Sequence, residues 1–203
     1  MNMTAQSTLL DRWEPMPSEP QAASDAQEQA LLITRAQRGD EAAISQLYRE
    51  YAPAIYGYLA SRVGDAALAE DLTSEVFLRA LEGLPRYEDR GISFSAWLYR
   101  IAHDRMVDHV RRQARRPTTP LEDERLPAQA GIDEQVETHL RLEQLGRAME
   151  GLTAEQQQVI LLRFVAGLKL QEVAYVMTKS TAAIKMLQLR ALTELRQAVV
   201  QVG

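Results

Sequence analysis

A chain of 203 residues with 46% hydrophobic and 25% charged side chains suits one large or two small globular domains, and disorder over its whole length is excluded. With no cysteine there are no disulfides, thiolate metal sites or cysteine nucleophile, so packing alone holds the fold and a cytoplasmic location is expected. The net charge of -5 argues weakly against a nucleic-acid partner, but only until it is resolved along the chain, because local fields rather than totals steer binding.

The N-terminus, MNMTAQSTLLDRWEPMPSEPQ, lacks the basic segment and apolar core of a signal peptide, and no apolar run approaches the roughly 18 residues that span a bilayer, so no membrane insertion is expected. Residues 1–24 hold Pro15, Pro17 and Pro20 without apolar periodicity and read as a disordered tail, with Trp13 its one sticky side chain. From Asp25 the pattern is helical. Leu31, Leu32 and Arg35 lead to a stop at Gly39, and Asp40 caps a second helix with Ile44, Leu47, Tyr48, Tyr51, Ile55, Tyr58 and Leu59 at three-and-four spacing. Pro53 interrupts that helix. Gly64 and Asp65 form a stop-and-cap pair before a third stripe, Leu68, Leu72, Val76, Ala80 and Leu81, which ends at Gly83 and Pro85.

Arg86 to Gly91 is polar and aperiodic, a loop. A fourth helix starts near Ser93 or Ser95 with Trp97, Leu98, Ile101, Ala102 and Val110 on its apolar side, and runs to Pro117. Pro117, Pro120, Pro127 and an acidic cluster then mark a linker over 117–133, which divides a helical domain at 25–116 from a second at 134–203. The second opens with Val136, Leu140, Leu145, Met149 and Leu152. Thr153 and Gln156 make a capping-box start, with Val159, Ile160 and Phe164 on the core face and Gly167 as the stop. A short apolar segment, Leu170 to Met177, is followed by a turn at Thr178–Ser180. Thr181 to Val200 then forms a last helix with Ile184, Leu187, Ala191, Leu192 and Leu195 inward. No strand pattern occurs, and the class is all-α: two small helical domains joined by a flexible acidic linker.

Charge follows this division. Between Tyr99 and Arg116 six arginines face only Asp104 and Asp108, a surplus of four cations; from Leu161 to the end the surplus is again four, and Leu121 to Glu143 between them carries a net -5. The last two helices fit a helix-turn-helix, with Ala174 the small residue at the crossing and Ile184 packing back. Lys179, Ser180, Thr181, Ala182, Lys185, Gln188 and Arg190 are then available to a major groove. An αα-hairpin in a bundle is the bland alternative. Thr178 stands where such turns use glycine, and Lys169 where a capping Ser or Thr is expected.

The arginines of the fourth helix suit a phosphate backbone better than a merely solvated face, since so few acids dilute them. Tyr87, Phe94 and Trp97 lie beside or inside the polar loop. Exposed aromatics stack on unpaired bases, although the helical spacing of Phe94 and Trp97 with Ile101 favours core packing for these two. His103, Asp104, Asp108 and His109 do not make a metal site, because the histidines point to different faces. No phosphate-binding glycine loop, nucleophile elbow or apolar carboxylate pair occurs, so no catalytic residue, cofactor or metal is expected, and the chain is not read as an enzyme.

These residues bring a family into view. AEDLTSEVFLRAL at Ala69–Leu81 and FSAWLYRIAHDRMVDHVRR at Phe94–Arg112 closely resemble region two of sigma-70-type factors of the extracytoplasmic-function subfamily, and Leu152 to Arg196 resembles region four. The resemblance implies an RNA polymerase sigma factor that recognises -35 and -10 promoter elements and promotes melting. It implies clamp-helix binding on the largest polymerase subunit through Asp71, Leu72, Ser74, Glu75 and Val76, with Ser74 in place of the more usual glutamine, and contact of region four with the flap of the second-largest subunit. It implies -10 contacts from Tyr87, Arg90, Ser93, Trp97, Arg100, Asp104, Arg111, Arg112 and Arg115, with Asp104 where many relatives have asparagine, and reading of the -35 element by the last helix. It also implies an acidic connector threading the polymerase cleft and control by an anti-sigma protein. Two other readings compete: a stand-alone helix-turn-helix regulator, which explains only the second domain, and a helical adaptor that binds polymerase without initiating.

Overall fold

The structure is a computed structural model that describes residues 19–114, 149 and 151–202. The expected tail up to residue 18, Arg115, the 117–133 linker and the stripe Val136, Leu140 and Leu145 lie outside these residues. Among the described residues there are helices and no strand. They fall into two compact units, one up to Leu47 and one from Tyr48 onward.

In the first unit, α1 (Glu19–Gln37) begins before the Asp25 start read from the sequence, so residues 19–24 are helical rather than part of the tail. Its end is a Schellman turn: Gly39, at φ 83°, donates to the Ala36 carbonyl, and the Asp40 N–H donates to the Arg35 carbonyl. Asp40 then caps α2 (Glu41–Val63) by accepting from the Ala42 and Ala43 amides at 3.0 and 3.1 Å, and it pairs with Arg35 at 2.8 Å. The Ala43 amide, then Arg35, hold the Asp40 carboxyl below its ordinary value. Pro53 lies inside α2 without ending it, at an exposed position on the helix.

In the second unit, the rest of α2 brings Ala52, Ile55, Tyr58 and Leu59 into a core shared with α3 (Ala66–Gly83) and α4 (Phe94–Ala114). Asp65 caps α3 through the Leu68 amide at 3.1 Å. Ala69, Leu72, Val76 and Ala80 form its inner stripe, and Leu98, Ala102 and Met106 answer from α4. At about 1.5–3 kcal/mol for each fully buried large aliphatic, this stripe rather than helix propensity holds α3 and α4 together. The remaining helices are α5 (Ala154–Ile160), α6 (Leu170–Met177) and α7 (Thr181–Val202), with Val159, Leu162, Val173, Val176 and Ile184 fully buried between them. Met149, Leu152, Ile160, Leu161 and Ala191 make a further buried cluster, with Leu195 packed against it.

The capping box at Thr153 is present in both halves: Thr153 Oγ1 accepts from the Gln156 amide at 3.3 Å, and Gln156 Oε1 accepts from the Thr153 amide at 2.6 Å. The helix does not continue regularly from α5. Leu161–Val165 forms a π turn, with one extra residue in its ring, which turns Phe164 and Val165 out to solvent; Phe164 is therefore 56% exposed and not on the core face expected of it. Leu192 and Val110, also expected inward, are exposed as well.

Candidate nucleic-acid and polymerase interface

The solvent side of α3 presents Asp71, Ser74 and Glu75 one turn after another, as their spacing requires, with Leu78 continuing the same face at 62% exposure. The Ser74 hydroxyl donates back to the Glu70 carbonyl at 3.1 Å. Leu72 and Val76 do not belong to this surface. They are 2% and 0% exposed in the α3–α4 core, because an i, i+4 pair on the apolar stripe faces the neighbouring helix, and the expectation that they touch a partner is corrected. Leu78 lies off the apolar stripe that the sequence marks on this helix.

The loop before α4 is tied to its own aromatic floor. Tyr87 donates its hydroxyl to the Ile92 carbonyl at 3.1 Å, and its ring meets Phe94 and Trp97 with centroids 5.3 and 5.1 Å away. Burial pushes the Tyr87 phenol up to about 12, so it stays a neutral donor. Phe94 is buried against Tyr51, whereas Trp97 is half-buried and lies over Gly83, where an added Cβ would stand 2.9 Å from its Cζ2 atom. Ser93 caps α4 through the Ala96 amide at 3.2 Å, and Arg90 pairs with Glu88 at 2.6 Å on the exposed loop.

Along α4 the arginines divide into two sets. Arg111 and Arg112 are exposed near the helix end, whereas Arg100 and Arg105 are partly buried and pair with Asp104 at 3.0 Å and Asp108 at 2.8 Å. Arg100 also donates to the Tyr175 carbonyl at 2.9 Å, to the Val176 carbonyl at 3.3 Å and to the Thr178 hydroxyl, with its guanidinium 5.9 Å from the Tyr175 ring centroid. A cation here meets the carbonyl end of α6, where the helix dipole favours it. On the other side of the same contact, Glu172 accepts from the Ser93 amide at 3.2 Å and from the Lys169 amide at 2.7 Å. Burial raises the Glu172 pKa, but these hydrogen bonds more than offset it and the net shift is downward. Gln158 bridges the Tyr58 hydroxyl at 3.0 Å and the His103 Nδ1 at 2.6 Å.

Glu172 explains one sequence anomaly. With a carboxylate at the third helical position reaching back to the Lys169 amide, α6 starts without a capping Ser or Thr. The other anomaly is genuine: Thr178 adopts φ 52°, the left-handed conformation that favours glycine, with the Lys179 amide closing a Schellman turn on the Ala174 carbonyl at 3.0 Å. The Arg100 contact to its hydroxyl is available only to a residue with a side chain there.

On α7, Ser180 caps the helix through the Ala183 amide at 3.2 Å; Thr181, Ala182, Lys185 and Arg190 are exposed, and Lys179 pairs with Glu155 at 2.9 Å. Gln188 is turned toward the protein, half-buried, with Arg163 donating to it at 3.4 Å. Between α4 and the α5–α6 side, an open groove of about 860 Å³ is lined by Arg62, Arg105, Arg111 and Lys179 among others. Among the described residues no group of three or more His, Asp or Glu is placed to hold a metal, and no helix is long and apolar enough to cross a membrane.

Sigma-70 region 2 matches residues 47–116, and sigma-70 region 4 matches residues 148–197. The ECF RNA polymerase sigma factor BldN of Streptomyces coelicolor is 38% identical over 178 residues, covering 87% of this chain and 67% of BldN. The ECF RNA polymerase sigma factor SigD of Mycobacterium tuberculosis is 32% identical over 178 residues, covering 85% of this chain and 84% of SigD. Two solved structures bear on the fold. CnrH, in complex with the cytosolic domain of CnrY, aligns at TM-score 0.63 and 23% identity over 85% of this chain and 97% of CnrH; RpoE of Bartonella quintana, in complex with the anti-sigma factor NepR, aligns at 0.59 and 22% over 76% and 95%. Two helical groups in the order of regions 2 and 4, each matched by its own family and both spanned by relatives of one kind, place the chain in the ECF RNA polymerase sigma factors of the sigma-70 family.

Proposed function

We propose that this chain joins core RNA polymerase as its promoter-recognition subunit and works without chemistry of its own. The exposed Asp71–Ser74–Glu75 face of α3 takes the clamp helices of the largest subunit, and region 4 meets the flap of the second-largest. The Tyr87–Ser93 loop, Trp97 and the exposed cations of α4 hold the -10 element as it melts, and α7 enters the major groove of the -35 element. What supports this best is the pair of cation-rich segments, 99–116 and 161–203, that fall in separate sigma regions and are separated by an acidic segment. The site lies in the cytoplasm, with polymerase.

Both solved neighbours were captured with a protein partner, and we infer an anti-sigma protein for this chain too. The groove beside α4, lined by Arg62, Arg105, Arg111 and Lys179 together with Asp104, Asp108 and Glu155, is where a polar partner segment would lie. The polymerase face is tested by Asp71→Ala together with Glu75→Ala. Both carboxylates are exposed, so helicity by circular dichroism should be unchanged while core polymerase no longer co-purifies; retained core affinity would move the polymerase face elsewhere on the molecule.

A further inference from the structure

The burial pattern of α7 fixes which way each side chain points. Ile184 and Ala191 are fully buried, and at about 100° per residue the opposite line of the helix carries Ala182, Met186 and Thr193, with Leu189 beside them. Met186 sits at the middle of this outer line and is 50% exposed; Leu189, one turn on, is 60% exposed. Lys185 and Arg190, both exposed, flank Met186 on either side. In the first two turns, therefore, the centre of the outer face is methyl and thioether, with cations only at its edges.

That distribution suits a duplex. A helix about 10–12 Å across fills a major groove about 12 Å wide, so cations at its two edges meet the phosphates of the two strands while its centre meets base edges. The polar base reader expected here, Gln188, is turned inward toward Arg163, so no amide or guanidinium stands at the centre to form a bidentate pair with adenine or guanine. Of the four bases, only thymine presents an apolar group in the major groove, its C5-methyl.

We propose that Met186, supported by Ala182, is a specificity-determining residue that selects thymine in the upstream promoter element by packing on its C5-methyl group. The proposal rests on α7 being the promoter-reading helix and adds which base it selects and how. Burial of one methyl contributes about fourfold in affinity, so the expected discrimination is three- to fivefold per contacted thymine.

The test uses the full chain reconstituted with core polymerase on a promoter that it transcribes, with each thymine of the upstream element replaced in turn by deoxyuridine, which removes the methyl and nothing else. At one or two positions the native chain should lose three- to fivefold in open-complex formation. Met186→Ala should be weaker on the thymine template and indifferent to the replacement, whereas Met186→Leu should retain the discrimination; both should match the native chain in helicity and melting temperature because the residue is exposed. Active transcription that is insensitive to deoxyuridine at every upstream position overturns the role of Met186 and leaves the sigma reading intact. Undiminished thymine discrimination in Met186→Ala overturns it too, and assigns the methyl contact to another residue. Open-complex formation that is indifferent to every base substitution in the upstream element overturns the promoter-reading role of α7 and this proposal with it.

Discussion

Thr153 and Gln156 show how far single residues can be read. Their spacing predicts a capping box, and the structure closes both of its hydrogen bonds. Thr153→Ala should therefore lower unfolding stability by about 1 kcal/mol, seen as a lower urea midpoint at unchanged slope. Gly83 could not be read in the same way, since the sequence marks it as a helix stop, whereas its backbone is ordinary and its lack of a Cβ makes room for Trp97. That ring is held by Tyr87 and Phe94 and has little room to retreat. Gly83→Ala should cost about 1–3 kcal/mol through overpacking and shift Trp97 fluorescence, read in a Trp13→Phe background. His103 and Glu172 set the response to acid. Burial holds the His103 pKa below 6.5, so between the two values the unfolded chain carries the extra proton; stability is fully present above pH 6.5 and is lost as the pH falls from there. The Glu172 pKa lies below 4.5 when folded, so its contribution is present above that pH and disappears as the pH falls through the folded value. Urea midpoints should be flat from about pH 7 to pH 9 and fall in two stages on acidification, and His103→Gln should remove the upper stage.

At the scale of elements, the stripes of α2, α3 and α4 were legible because three-and-four spacing maps directly onto a buried face. Leu72 and Val76 mark the limit of that legibility. A family motif gathers surface and core residues into one string, and only burial separates the exposed Asp71, Ser74 and Glu75 from the buried Leu72 and Val76. The π turn was illegible, because one extra residue in a helical ring changes no composition; its consequence, an exposed Phe164, follows from the register shift alone. The link from Arg100 and Ser93 to α6 was equally hidden, since it joins residues more than seventy positions apart that the sequence assigns to separate roles. The two sets of arginines on α4 should accordingly behave differently. Removing the exposed pair, Arg111→Ala with Arg112→Ala, should lower the slope of log affinity against log salt by about 1.4–1.8 for promoter complexes, because each phosphate neutralised contributes roughly 0.9 on duplex DNA and 0.7 on single strands. Arg100→Ala should instead speed amide hydrogen exchange at the end of α6, where its guanidinium holds two carbonyls.

Over the whole molecule, a net charge of -5 conceals two cation-rich segments, and it is this separation that lets an acidic protein read DNA. The all-α class was legible from the absence of any alternating pattern, and the family from two motifs in one order. What each helix faces was not, because partner surfaces are set by which side of a stripe is left uncovered. The most direct measurement is run-off transcription by purified core RNA polymerase on a genomic promoter library, with and without the full chain. Added protein should produce transcripts whose start sites share a pair of upstream motifs. Polymerase binding without such transcripts, or duplex DNA bound by the protein alone as a dimer, would contradict the assignment of promoter recognition to α4 and α7 acting together.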